Sequence, residues 1–177
     1  MADQLEHGQL SQIIRRATEE VFTTMLTVAL KADEAYFEQA PPANFDGVVS
    51  FIGLAGAWAG TGSLCCSSKL ACSLSSSFLM TELTVVDEQV LDAIGELTNM
   101  IIGNVKNEVE EYLGPMGLSI PTVIYGRNFG ARSLGHDAWT VVPFWSGADR
   151  LDVKICLAPK ERVVHEHGTR SREFILP

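Results

Sequence analysis

Hydrophobic and polar residues repeat with two different periods along the chain, and these periods predict helices and strands. Steps of three and four mark a first helix over about residues 11–31, with Ser11 as its N-cap. Its apolar stripe consists of Ile13, Ile14, Ala17, Val21, Met25 and Val28. The same spacing returns in "KLACSLSSSFLM", residues 69–80, which predicts a second, shorter helix.

The longest helical pattern begins after Thr84 and Asp87, because a Thr followed three residues later by an acidic residue is typical of a helix start. It runs to about Tyr112, where "LGPMG" ends it. At about 100° per residue, its apolar residues fall on one stripe. The members of this predicted core face are Val90, Ile94, Leu97, Ile101, Val105 and Tyr112.

Short runs of β-prone residues predict the strands. "VVSFIGLAGAW" and "TGSLCCSS" flank a glycine-bearing break and predict a hairpin. After the third helix, "TVIYGRNF", "TVVPFWSG" and "RLDVKICLA" predict three more strands, the last two joined by the turn "SGAD". The order of elements predicts an α+β domain: a mainly antiparallel sheet with a long N-terminal helix, a short helix and a second long helix on one face.

The length of 177 residues suits one domain with a sizeable core. We assign this domain to residues 1–159. The remaining residues, 160–177, are charged and aperiodic, which predicts a frayed and dispensable C-terminal tail.

Composition restricts the classes of partner and the location. A formal charge of -9 disfavours binding to a nucleic acid backbone. No apolar run approaches the roughly 20 residues of a membrane span, and the N-terminal residues lack the profile of a signal peptide. The sequence therefore predicts a cytoplasmic protein that is neither a nucleic acid binder nor a membrane protein.

Several familiar kinds of site are disfavoured. The glycines of "GLAGAWAGTG" precede a strand rather than a helix, so they indicate a hairpin turn and not a phosphate cradle. No serine lies in a GxSxG elbow, and the four cysteines form no CxxC pair. His165 and His167 supply at most half of a metal site, so we predict none.

The face of the long helix opposite its apolar stripe carries the most informative residues. Asp92, Glu96, Asn99 and Gly103 share this face, and the spacing of three brings the side chains of Glu96 and Asn99 together. A carboxylate can bind a cation, an amide can orient water, and a glycine leaves room for another molecule. A solvated helix face is polar by default, so the pattern alone leaves a purely structural role open.

The segment "DAIGELTNMIIGNVKNEVE" resembles the signature helix of the CheX and CheC group of chemotaxis phosphatases, which carries a Glu-x-x-Asn motif. The order of predicted elements is similar to CheX over residues 10–158. The chain has one such motif where CheC has two, because the first helix pairs Glu20 with Thr23 instead of an asparagine. We therefore predict a CheX-like protein with no site on the first helix.

This resemblance implies a function for each residue of the motif. The chain would dephosphorylate a phosphorylated CheY-like response regulator: Asn99 would align the attacking water, and Glu96 would pair with the lysine of the partner's site. Asp92 and Gly103 would contact the partner. The Mg²⁺ ion would belong to the regulator, with no cofactor bound by this chain.

The resemblance also implies a homodimer formed by strand pairing. Two alternatives stay open at this stage. One is a non-catalytic binding module of a chemotaxis or two-component signalling complex, and the other is a dimerisation domain.

Overall fold

The computed structural model of the protein describes residues 5–38, 45–129 and 138–160. The helices of this part of the chain are α1 (His7–Met25), α2 (Ser68–Leu79) and α3 (Glu88–Leu113). Its strands are β1 (Lys31–Ala32), β2 (Tyr36–Glu38), β3 (Phe45–Gly56), β4 (Trp58–Cys66), β5 (Met116–Leu118), β6 (Thr122–Phe129), β7 (Trp139–Ser146) and β8 (Asp149–Pro159).

The strands form one sheet in which every described pairing is antiparallel. The strand order is β1-β7-β8-β4-β3-β5, with β2 also paired to β7 and β6 also paired to β3. The predicted hairpin is β3 and β4, and β7 and β8 form a second hairpin around the predicted turn. The α+β class with a mainly antiparallel sheet is confirmed.

The core lies between the helices and one face of the sheet. Strand residues of this core alternate along each strand, as one buried face requires. They include Val48, Ile52, Leu54, Leu64, Cys66, Leu151, Val153 and Ile155. From α3, the stripe residues from Val90 to Val105 are at most 1% exposed, so the predicted core face is confirmed over this length.

The prediction is wrong for Tyr112, the last residue of the predicted stripe, because its side chain is 39% exposed. Beyond Val105, the buried positions of α3 are Val109 and Leu113. From Val105 onward the buried residues follow one another at intervals of four. Four residues turn the helix by about 400°, so each buried residue lies about 40° around the helix from the one before it. The buried stripe therefore drifts away from Tyr112 in the last two turns.

The predicted limits of the first helix need correction. The helix begins at His7, and its N-cap is Glu6, whose backbone N–H donates to the Gln9 side chain at 3.2 Å. Ser11 is therefore an interior residue of the helix and not its N-cap. The helix ends at Met25 rather than near residue 31. The physical reason is a tertiary contact, because the Thr27 N–H donates to Ser77 Oγ of α2 at 3.0 Å instead of continuing the helix.

The long helix α3 is anchored at both ends. Its N-cap is Asp87, whose carboxylate accepts from the Val90 N–H at 3.0 Å, so the start lies three residues after Thr84. At the other end, the Glu110 carboxylate accepts from the Met116 N–H at 2.7 Å and pairs with Lys106. These contacts and the buried stripe hold α3 rigidly against the sheet.

The structure also contains three short strands that the sequence pattern did not predict, namely β1, β2 and β5. Two or three residues are too few to show an alternating pattern. The C-terminal tail proposed for residues 160–177 lies outside the described residues except for Lys160, whose N–H donates to Ala57 O at 3.1 Å. The dispensability of the tail stays a prediction.

Candidate functional site

The four residues of the predicted functional face of α3 differ in exposure. Asp92 and Glu96 are exposed, whereas Asn99 and Gly103 are half-buried. Thr98, next to Asn99 in sequence, is fully buried, and its hydroxyl donates to Ile94 O at 2.7 Å. The helix therefore presents Glu96 and Asn99 on a side that is distinct from its core face.

Glu96 and Asn99 have no side-chain hydrogen bond or ion pair with any other residue that the structure describes. The second half of the same helix is different. There Glu108 pairs with Arg16 of α1, and Glu110 pairs with Lys106. The two candidate side chains thus keep their hydrogen-bonding capacity for water or for another molecule.

The first half of α3 carries a row of carboxylates. Glu88, Asp92 and Glu96 are exposed and follow one another at intervals of four residues, one helical turn apart. Like charges at this spacing each destabilise a helix by about 0.2–0.5 kcal/mol. A cationic group of another molecule would relieve this repulsion, so the row favours a basic partner.

A second segment of the chain runs alongside the candidate residues. A methyl group placed on Gly95 would lie 3.3 Å from Val123 Cγ2 and 3.8 Å from Pro121 Cβ. A methyl group on Gly103 would lie 3.8 Å from Leu118 Cδ1. The end of β5 and the start of β6 therefore lie against α3 on either side of Asn99, and a side chain would be crowded at Gly95 but not at Gly103.

We call residues 119–121, which join β5 to β6, the β5–β6 connector. Sequence reasoning expected Gly103 to leave room for another molecule, which stays a prediction, and it missed Gly95 and this connector. The signal for Gly95 was a glycine next to Glu96 inside an otherwise regular helical pattern. No local signal placed the connector beside α3, because the two segments are far apart in sequence.

The chemistry available at this face is positioning rather than covalent attack. An amide can donate to and accept from one water molecule, and a carboxylate can bind an ammonium group. Neither group is a good nucleophile. On a rigid helix, however, such groups can align a reaction whose electrophile another molecule supplies.

The first helix offers no equivalent pair. Thr23, which follows Glu20 by three residues, donates its hydroxyl to the Glu19 carbonyl at 2.7 Å. The hydroxyl is therefore engaged with its own helix.

The sheet face away from the helices contains a small cavity. Its lining includes Phe51, Cys65 and the ion pair between Lys154 and Glu38, whose Nζ–Oε2 distance is 2.6 Å. The cavity volume is about 70 Å³, well below the roughly 300 Å³ of a small-molecule site. Burial also raises the pKa of the Cys65 thiol, which disfavours the nucleophilic thiolate.

Within residues 5–38, 45–129 and 138–160, no three His, Cys, Asp or Glu side chains cluster closely enough to hold a metal ion. His165 and His167 lie outside these ranges. Among the described helices, none is both long and apolar enough to cross a membrane.

The family model "Chemotaxis phosphatase CheX" matches this chain over residues 48–145. The matched stretch begins within β3 and includes β4, α2, α3 and the candidate residues. No curated protein sequence matches this chain significantly.

Solved structures with the same fold carry related descriptions. A CheC-like superfamily protein from Shewanella sp. PV-4 is 25% identical, with a TM-score of 0.75, over 84% of this chain and 97% of its own. The chemotaxis protein CheX from Vibrio vulnificus is 24% identical, with a TM-score of 0.75, over 85% of this chain and 99% of its own. A CheX-CheY-BeF3-Mg²⁺ complex from Borrelia burgdorferi gives 20% identity and a TM-score of 0.73, over 87% of this chain and 99% of that one.

Proposed function

Since this chain belongs to the chemotaxis phosphatase CheX family, we propose that it hydrolyses the aspartyl phosphate of a CheY-like response regulator. The observation that carries the proposal is the Glu96 and Asn99 pair. The two side chains share the solvent-facing side of a rigid helix and have no partner among the described residues. The reacting bond and the Mg²⁺ ion belong to the regulator.

In the proposed reaction, α3 enters the regulator's phosphorylation site with Asn99 leading. The Asn99 amide holds one water molecule in line with the phosphorus–oxygen bond to the aspartate. The water oxygen bonds to phosphorus, the bond to the aspartate oxygen breaks, and inorganic phosphate leaves with the aspartate restored. The Mg²⁺ of the regulator offsets the negative charge of the phosphoryl oxygens.

Glu96 positions the two proteins relative to each other. Its carboxylate binds a lysine ammonium group in the regulator's site, one helical turn from Asn99. The carboxylates of Glu88 and Asp92 continue the same row and attract basic groups of the approaching partner. Gly103 leaves space beside Asn99, where a side chain would obstruct the partner.

The direct test is the decay of a radiolabelled phosphorylated receiver domain. Each CheY-like regulator of the host would be phosphorylated, supplied with Mg²⁺ and followed with and without this protein. We expect faster loss of label with at least one regulator. Decay at the autodephosphorylation rate with every regulator, despite binding, would support the non-catalytic binding module instead.

Glu96→Ala is expected to weaken the complex and slow the reaction without affecting folding. Loss of one exposed, charge-assisted contact should raise the dissociation constant for the regulator by about 10-fold. Fluorescence titration with a beryllofluoride-loaded regulator measures this change. Glu20→Ala removes a helical carboxylate from α1 that is also exposed and should leave affinity unchanged. Equal weakening by both variants would contradict a specific role for Glu96.

We further propose that the protein is a homodimer with a sheet continued between subunits. In the described part of the chain, β6 pairs only with β3 and is therefore an edge strand. Two of its apolar residues are exposed, Ile124 by 40% and Tyr125 by 46%. A long edge strand with exposed apolar residues favours pairing with a second copy. Light scattering should give about twice the 19.3 kDa chain mass, whereas a monomer at micromolar concentration would contradict this assembly.

A further inference from the structure

The β5–β6 connector displays a large apolar side chain to solvent. Ile120 is 86% exposed, although a side chain of this kind is usually buried. A polar residue would fit such an exposed connector without loss of packing. Single apolar residues are common on protein surfaces, and Met80 is 93% exposed, so the exposure of Ile120 matters because of where this residue lies.

The backbone around Ile120 is held firmly by its neighbours. The Ser119 N–H donates to Gly53 O at 2.9 Å, and the Gly53 N–H donates to Ser119 Oγ at 2.9 Å. The Ser119 hydroxyl in turn donates to the Ile120 carbonyl at 2.9 Å. Because these bonds tie the connector to β3, the exposed side chain is presented by an ordered backbone.

Its position relative to Asn99 follows from the two glycine contacts. Leu118, on one side of Ile120, approaches Gly103, and Pro121, on the other side, approaches Gly95. Asn99 lies midway between these glycines, one turn from each. The connector therefore passes beside the turn of α3 that carries Asn99, with Ile120 as its exposed apolar residue.

We propose that Ile120 is an apolar anchor for the receiver domain of the response regulator, beside the Glu96 and Asn99 pair. This inference rests on the proposed function, because a receiver domain that admits Asn99 to its phosphorylation site must cover the adjoining surface. An apolar side chain on a hydrogen-bonded backbone can fill a desolvated pocket of the partner, and a few contacts of this kind carry most of the binding energy of an interface. Little conformational entropy is lost when such a residue binds.

The experiment separates binding from chemistry. Ile120→Ser should raise both KM for the phosphorylated regulator and the dissociation constant of the beryllofluoride-loaded regulator by about 10-fold. The value of kcat should stay within about twofold, since uniform binding is lost and transition-state contacts remain. Ile120→Leu, which preserves an apolar side chain, should restore most of the affinity.

The matched control is Phe37→Ser. Phe37 is 57% exposed and lies on β2, at the opposite edge of the sheet from β5. This variant should leave KM and the dissociation constant unchanged. If both serine variants weaken the complex equally, the effect is a general loss of surface hydrophobicity, and the proposal for Ile120 is overturned.

The remaining outcomes distinguish the two proposals. If the wild-type protein hydrolyses the regulator and Ile120→Ser changes neither KM nor affinity, the anchor is disproved and the phosphatase proposal stands. If the wild-type protein binds the regulator without hydrolysing it, and Ile120→Ser weakens binding, only the phosphatase proposal fails. A loss of self-association in Ile120→Ser, measured by light scattering with regulator affinity unchanged, would assign Ile120 to contacts between copies and overturn the anchor.

Discussion

Asn99→Ala is expected to abolish most of the phosphatase activity while the protein stays folded. Without the amide, water still reaches the phosphorus atom but is no longer held in line with the breaking bond. Removal of one preorganised hydrogen-bonding group typically lowers kcat by about 100- to 1,000-fold. The measurement is single-turnover decay of the phosphorylated regulator at saturating concentrations of this protein.

The stability of Asn99→Ala should change by no more than about 0.5 kcal/mol, because alanine is a better helix former and the position is half-buried. Asn107→Ala is the matched control: it makes the same change on the same helix, at an exposed position two turns further along. This control should retain full activity. Comparable loss in both variants would place the effect in the helix as a whole and not in Asn99.

Ile101→Ala is expected to have the largest effect on stability of the changes considered. Ile101 is 0% exposed and belongs to the main core cluster. Truncation of a fully buried isoleucine leaves a cavity and lowers the free energy of unfolding by about 2–5 kcal/mol. Urea denaturation followed by circular dichroism would measure this loss.

Ile120→Ala provides the control for Ile101→Ala, since it makes the same chemical change at a position that is 86% exposed. It should alter the free energy of unfolding by no more than about 0.5 kcal/mol. If Asn99→Ala destabilises the protein more than Ile101→Ala does, the face of α3 that carries Asn99 is the buried one and the face that carries Ile101 is exposed. The assignment of the site would then fail together with the orientation of the helix.

The variants Asn99→Ala and Ile101→Ala, with their controls, test whether the two faces of α3 have different roles. Its buried stripe supplies the packing that holds the helix, and its opposite face supplies hydrogen-bonding groups that folding does not use. The buried hydroxyl of Thr98 is satisfied by Ile94 O, whereas the neighbouring Asn99 amide has no side-chain partner within the described ranges. This arrangement explains how a change at Asn99 can affect activity with little effect on folding.

The proposed reaction also accounts for the absence of a nucleophile from the candidate face. In this proposal, Asn99 aligns water, Glu96 binds a cation, and the regulator contributes the phosphoryl group and the Mg²⁺ ion. Such a site needs an exposed position on a rigid helix and does not need a pocket. Hydrogen bonds of Asp87 and Glu110 at the two ends of α3 hold the helix in place.

The sequence alone determined the two faces of α3 and the main strands. The rotation of about 100° per residue is a local property of the helix, so the spacing of Val90, Ile94, Leu97 and Ile101 predicts a buried stripe without knowledge of what covers it. The same local geometry sets Glu96 and Asn99 side by side. The assignment of catalysis to that pair came from the resemblance to CheX and stays a proposal.

Only the tertiary structure decided where elements end and which segments meet. The first helix stops at Met25 because Thr27 bonds Ser77 of α2, 50 residues away. Leu118 lies beside Gly103, and Val123 approaches Gly95 closely enough that a side chain there would be crowded. These contacts join residues far apart in the chain and depend on the packing of the whole sheet, whereas periodicity reports only on neighbours within a few turns.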